Sequence, residues 1–197
     1  MPGANELEKI AAEIVTCVKC PLHKNRANAV PGEGNPRAEV MLIGEAPGAE
    51  EDKQGRPFVG AAGRLLNEAL EKAGFSREEV FITNIVKCRP PRNRVPTEDE
   101  RRACLPYLHR QLEVIKPKII CLLGRTPLET LIGPYSISKM RGRTIEKDGW
   151  LFFLTYHPAA AIYNPSLKEQ FLKDIQKLRE LIHRDERRRG SSLDEFL

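Results

Sequence analysis

Long apolar runs are missing from this sequence. None approaches the roughly 18 residues that cross a bilayer, and the opening Met1-Pro2-Gly3-Ala4-Asn5-Glu6 has no basic-then-apolar signal pattern. A membrane span is therefore not expected, nor is secretion, and the expected location is the cytoplasm. Aromatic residues are scarce at 6%, so an aromatic in a polar loop asks for a reason. Neither charge dominates: Lys+Arg 32 against Asp+Glu 27 leaves +5. That mild basic excess suits a polyanionic partner without demanding one. With 41% hydrophobic residues in 197, there is apolar material for one core and too much for wholesale disorder. There is no internal repeat.

What is present alternates. An amphipathic run at Leu7, Ile10, Ala11, Ile14 and Val15 predicts a first helix, followed by an irregular polar stretch through Pro36. Glu39–Gly44, Val80–Val86, Lys118–Gly124 and Leu151–Thr155 are short apolar runs with the pattern of strands buried on both faces. Between them lie a helix over Gly63–Ala73 and a brief one opened by Ser76 with Glu79. A long helix opens on the capping box Thr97–Glu100, and a short one is started by Thr126-Pro127. Ser138–Asp148 reads as a hairpin excursion and Leu167–Ile182 as a closing helix. The expected fold is a single three-layer α/β/α domain around a central four-stranded parallel sheet. Residues 1–183 form that domain, with 184–197 as a flexible basic tail. Ligands of such sheets bind beyond the carboxyl ends of the strands, which points to the segments after Gly44, Asn84, Gly124 and Thr155.

Five cysteines, an odd number, in a chain without a signal pattern indicate reduced thiols, metal ligation or packing rather than disulfides. Cys17 and Cys20 are spaced C-x2-C, and fifteen residues separate Cys88 from Cys104. Four thiolates suit zinc or an iron–sulfur cluster, and unpaired structural thiols remain the plain alternative. Cys121, among Ile119, Ile120 and Leu122, is core packing.

The loops after the strands hold the rest of the chemistry. Gly44-Glu45-Ala46-Pro47-Gly48, continuing to Gly55-Arg56-Pro57-Phe58-Val59-Gly60, is neither a Walker loop nor a GxGxxG fingerprint. Its glycines let backbone N–H groups approach a ligand, or simply turn an acidic surface loop. Phe58 is either loop packing or a stacking platform. Asn84, inside an apolar strand, has a donor and an acceptor side by side, matching a nucleobase edge, or bonds a neighbouring loop. His157, held before Pro158, donates to an oxyanion or caps the loop.

Taken in order, these segments resemble the family 4 uracil-DNA glycosylases, the iron–sulfur branch of the uracil-DNA glycosylase superfamily. The resemblance runs from Cys17 to about Pro165. It rests on Gly44–Gly48, Gly55–Gly60, Thr83-Asn84-Ile85-Val86-Lys87-Cys88-Arg89-Pro90-Pro91, His157-Pro158-Ala159-Ala160 and the four cysteines. It implies a DNA-repair enzyme that flips uracil out of double- or single-stranded DNA and hydrolyses its N-glycosidic bond, leaving an abasic site. By the same resemblance Phe58 stacks on the base, Asn84 reads its edge, and backbone N–H groups around Glu45 and Ala46 hold further base oxygens. His157 donates to uracil O2 as charge develops, and the loop after it supports the flip. Cys17, Cys20, Cys88 and Cys104 carry a [4Fe–4S] cluster that staples their loops rather than transferring electrons.

The sequence departs from the best-known branch of that superfamily at Ala46, which stands where an Asp orients the attacking water. Glu45, Glu51 and Asn93 are the remaining candidates for that task. Leu193, Phe196 and Leu197 resemble the sliding-clamp (PCNA) binding motif of repair proteins, with Gly190 in the place of its usual Gln. A monomer is expected. The readings from other classes are an iron–sulfur electron carrier and a nucleotide-binding regulatory module, and turnover on uracil-containing DNA separates the enzyme from both.

Overall fold

The computed structural model describes residues 2–191, and side chains from 3 to 183. Leu193, Phe196 and Leu197 lie outside the described residues. In chain order the elements are α1 (Pro2–Thr16), β1 (Glu33–Gly34), β2 (Val40–Gly44), α2 (Ala49–Gln54) and α3 (Ala61–Lys72). Then come β3 (Phe81–Asn84), α4 (Glu98–Ile115), β4 (Ile119–Leu123), α5 (Arg125–Leu131) and α6 (Ile137–Met140). The chain continues through β5 (Thr144–Lys147), β6 (Trp150–Thr155), α7 (Pro158–Ala161) and α8 (Pro165–Ser191). Among the described residues no helix is long and apolar enough to cross a membrane.

The sheet has six strands in the order β1-β3-β2-β4-β6-β5, not the four expected. The four central strands are parallel, as the apolar runs indicated, and an antiparallel strand borders each edge. The edge strands escaped the sequence because they are short and half-exposed, with no apolar run to mark them. β5 belongs to the expected hairpin, whose turn at Asp148 and Gly149 has φ of 50° and 79° at its two central residues.

Alternation along the central strands makes the two outer layers. Met41 and Ile43 of β2 and Ile120 and Leu122 of β4 face one way, packing with Ile10 and Ile14 of α1 and Leu108 and Leu112 of α4. Val40, Leu42, Ile119, Cys121 and Leu123 face the other way, against Leu66 and Leu70 of α3 and Phe171, Ile175 and Leu178 of α8. The α/β/α layering is therefore as expected.

Three local expectations fail. Ser76–Glu79 closes a turn rather than a helix: Glu79 accepts from the Ser76 N–H at 2.6 Å, but Phe81 enters the sheet before a helix can propagate. α5 is capped by Gly124, two residues before Thr126, because Gly124 at φ 94° already turns the chain. The last helix continues to Ser191, so the expected flexible spacer from Arg184 is helical that far.

Candidate active site and four-cysteine centre

Every non-cysteine site residue named from the sequence lines one pocket of about 300 Å³ at the carboxyl ends of the strands: Glu45, Ala46, Glu51, Phe58, Asn84, Asn93 and His157. Asn84 ends β3 opposite Gly44 in the parallel register. Its side chain is buried, the residue being 1% exposed, and its Oδ1 has no hydrogen-bond partner. A buried carbonyl oxygen left unpaired is costly, so this atom marks where a ligand's donor belongs. Gly44 makes the arrangement possible, since a Cβ there would lie 2.4 Å from Asn84 Oδ1 and 2.6 Å from the Phe58 ring.

Phe58 is held in the left-handed region, φ 51°, which a non-glycine residue occupies only when its surroundings dictate it. The constraints are visible. Glu51 Oε1 accepts from the Val59 and Gly60 N–H groups at 2.9 and 2.8 Å, and Oε2 accepts from Gly48 N–H at 3.1 Å. Arg77 donates to the Pro57 carbonyl at 2.6 Å and to Glu33 at 2.9 Å. Gly63 leaves room for the Phe58 carbonyl, which a Cβ would approach to 1.8 Å. The ring is thereby fixed as a wall of the pocket, 5.6 Å from the His157 ring at 34°.

His157 follows β6 and caps α7, its Nδ1 accepting from the Ala159 N–H at 3.1 Å. In the neutral ring this assigns the proton to Nε2, the remaining donor. The residue is only half-buried by exposed area, yet the pocket walls desolvate its imidazole. Burial pushes its pKa down to about 4, opposed by the Glu51 carboxylate. It is a neutral donor at physiological pH. Gly124, with φ 94°, admits the close approach of His157, whose Cβ would sit 2.8 Å from an added Cβ.

The three candidates for holding water differ in their commitments. Glu51 is spent on the three backbone N–H groups, and Asn93 Oδ1 accepts from Arg89 Nε at 2.7 Å. Glu45 engages one oxygen, Oε2, with the Thr126 hydroxyl.

The thiols separate by face. Cys88 and Cys104 belong to the α1/α4 core and Cys17 and Cys20 pack against it, whereas Cys121 lies in the opposite core. The four on the first face line a single small cavity with Lys87 and Tyr107. Burial raises the pKa values of Cys20 and Cys88 and lifts Cys104 to about 11, opposed there by Lys87. Arg26 donates to Cys88 Sγ at 3.1 Å and the Lys19 N–H to Cys17 Sγ at 3.5 Å. Among the described residues, no group of three or more His, Cys, Asp or Glu side chains is arranged to hold a single metal ion. An all-sulfur donor set, free of disulfides and faced by cationic and N–H donors, fits a thiolate-bound cluster.

Sequence reasoning missed the supporting parts: Gly63, Arg77, Thr126, Arg26 and Lys87. Arg77, Thr126 and Arg26 act through partners distant in sequence, whereas Gly63 acts on Phe58 five residues before it and Lys87 mostly on Thr83 and Asn84 just before it.

The pocket lies at the carboxyl ends of the four parallel central strands, and comparison with known proteins gives the class. The chain belongs to the uracil DNA glycosylase superfamily, whose family model matches residues 31–179. Its similarity is to the type-4 branch in particular. It is 52% identical over 188 residues to the type-4 uracil-DNA glycosylase of Sulfurisphaera tokodaii, covering 90% of this chain and 85% of that one. It is 50% identical to that of Saccharolobus solfataricus over 98% and 92% of the two chains, and 46% identical to that of Archaeoglobus fulgidus over 89% and 92%.

Proposed function

We propose that the protein is a uracil-DNA glycosylase of base excision repair, hydrolysing the N-glycosidic bond of uracil in DNA to leave free uracil and an abasic site. The observation that carries this reading is the unpartnered Oδ1 of Asn84 beside the fixed ring of Phe58. In the flipped-in base, Oδ1 accepts from uracil N3–H and the amide N–H donates to O4. Cytosine offers an acceptor at N3 and a donor at C4, so both contacts become repulsive. Phe58 stacks on the base plane. As the C–N bond lengthens, negative charge gathers on uracil, and His157 Nε2–H donates to O2 without changing its own protonation. Water completes the reaction at the sugar carbon, with the uncommitted oxygen of Glu45 to orient it. Arg94 and Arg125 line the pocket, ion-paired with Glu100 and Glu129, and bring basic side chains that suit a phosphate backbone in single- or double-stranded DNA.

Cys17, Cys20, Cys88 and Cys104 would hold a [4Fe–4S] cluster, which when bound supplies a structural cross-link between the N-terminal segment, the strand exit after β3 and α4. The protein acts as a cytoplasmic monomer in this reading. Leu193, Phe196 and Leu197 dock on a sliding clamp. Removing residues 192–197 leaves excision from short oligonucleotides unchanged and abolishes clamp binding by calorimetry, and equal affinity of both forms refutes the docking. The deciding experiment is an abasic-site assay on oligonucleotides with a single uracil or cytosine. Cleavage after alkali with uracil alone is expected, and no cleavage with either base overturns the proposal.

A further inference from the structure

We infer that Arg141 and Asp174 are a pair of positioning residues for His157: from outside the pocket, they fix the two residues that precede the imidazole in the chain. The inference rests on the role given to His157 above and adds what sets the place of its ring.

Asp174 of α8 is 2% exposed. Its carboxylate takes a two-pronged bond from Arg141, Nε donating to Oδ2 at 2.9 Å and Nη2 to Oδ1 at 2.5 Å. Thr155, the last residue of β6, donates its hydroxyl to Oδ2 at 2.8 Å. The same guanidinium donates to the Gln170 carbonyl at 3.2 Å and lies over the Tyr156 ring, 5.8 Å from its centroid. Thr155 is thereby held by its side chain and Tyr156 by its ring, and His157 is next in the chain. The planar fork of an arginine fixes direction as well as distance, so this joint is stiff.

Three elements meet in it. Arg141 comes from the connection between α6 and β5, which is sewn to β6. Gly142 N–H donates to the Leu154 carbonyl at 2.6 Å, and Leu154 N–H donates to the Arg143 carbonyl at 3.1 Å. Lys177 of α8 donates to the Gly142 carbonyl at 2.6 Å. Gly142, at φ 67°, lies so close that an added Cβ would come 3.0 Å from Asp174 Oδ1. From β4's end, Gly124 N–H donates to the Thr155 carbonyl at 2.9 Å.

Stability alone does not call for ions here, since apolar side chains often fill such a place equally well. What the fork adds is direction. A donor that answers developing charge must be placed to about 0.5 Å, and an error of about 1 Å costs roughly 100-fold in rate. Among the described residues that line the pocket, neither Arg141 nor Asp174 is found, so their influence passes through His157.

The test uses the full-length protein and two readouts: the single-turnover rate of uracil excision from an oligonucleotide, and the affinity for free uracil by calorimetry. Arg141→Met is expected to lower the rate about 10- to 100-fold and to leave uracil affinity unchanged. In a His157→Ala background the same substitution lowers the rate no further, which a merely structural role would not produce. Where Arg141→Met does not fold, Thr155→Val decides, with an expected loss of about 3- to 10-fold that again vanishes without His157. A parent-like rate in the deciding variant overturns the inference alone. So does a rate loss matched by lost uracil affinity, or one that persists in full in the His157→Ala background. A parent protein that excises no uracil overturns the reading of the site and this inference together.

Discussion

The pocket and the four-cysteine centre depend on the same short stretch of chain, from Asn84 at the end of β3 to Cys88, yet they are built on opposite principles. The pocket is finished by the protein itself. Glu51 ties down three backbone N–H groups, Ala159 fixes the His157 ring, Thr126 holds Glu45, and Asn84 Oδ1 is buried without a partner. The centre is closed by fewer bonds: its thiols are free of disulfides, Arg26 donates to Cys88 Sγ at 3.1 Å, and the Lys19 N–H to Cys17 Sγ at 3.5 Å. A preorganised pocket can wait for substrate at low cost, because its ordering was completed on folding. In the proposed reading, the centre contributes its cross-link only with a cluster bound.

That contrast breaks most sharply at His157. His157→Ala removes the donor that the proposal assigns to uracil O2 and is expected to lower kcat by about 100- to 1000-fold, with the fold intact by circular dichroism. A kcat near the parent's would mean that the pocket binds without catalysing through this ring. Asn84→Asp comes next. The carboxylate still accepts from uracil N3–H but no longer donates to O4, so kcat/KM for uracil falls by roughly 10- to 100-fold, about 1–3 kcal/mol. Competition between uracil and cytosine oligonucleotides measures the accompanying loss of discrimination.

On the other side of the comparison, Cys88→Ala is expected to lose the cluster absorbance and lower the melting temperature. Cys121→Ala, in the opposite core, keeps the absorbance and costs about 1 kcal/mol of packing. Equal loss of absorbance in the two variants would erase the distinction between the faces. The smallest effect is that of pH. The unfolded chain takes a proton on His157 near 6.5 and the folded chain only near 4, so between those values the unfolded chain holds more protons. Stability from this residue therefore declines as pH falls from about 6.5 toward 4 and is constant above that window. Activity should stay level from pH 8 to 6 and fall only as His157 itself charges; an acid limb centred near 6.5 would show an imidazole open to water.

Much of this was legible in the sequence, for physical reasons. Strands buried on both faces leave unbroken apolar runs, so the four central strands could be read directly, while β1 and β5, each paired on one side, left no such run. Thr97 and Glu100 showed a helix start because both halves of the box are local, yet the same pattern at Ser76 and Glu79 failed because the next strand took the chain first. Phe58 and Asn84 stood out by burial rules, an aromatic in a polar loop and an amide in an apolar strand, and His157 by its place between a strand and Pro158, while their roles came from the resemblance. Arg77 reaching Pro57 and Glu33 is a pairing across the fold that no local pattern encodes, and Gly63, only five residues after Phe58, makes room for it through a turn that the periodicity did not show. Glu51 was read as a group for water or substrate, and its bonds instead make it the clasp of the loop.

The hairpin of β5 and β6 has a consequence for how the enzyme comes into being. The strands of this pair meet across a tight turn and can form within about 1–10 μs, but β6 joins the sheet only by lying parallel to β4, a slower, long-range step. His157 lies just beyond β6, and the preceding Thr155 donates to Asp174 of α8 at 2.8 Å, so the imidazole is locked when that last helix has docked. During synthesis, Phe58 and Asn84 emerge well before His157, the residue proposed to assist bond cleavage. The chain makes its binding half first, and the step that arms it is the closing of the fold.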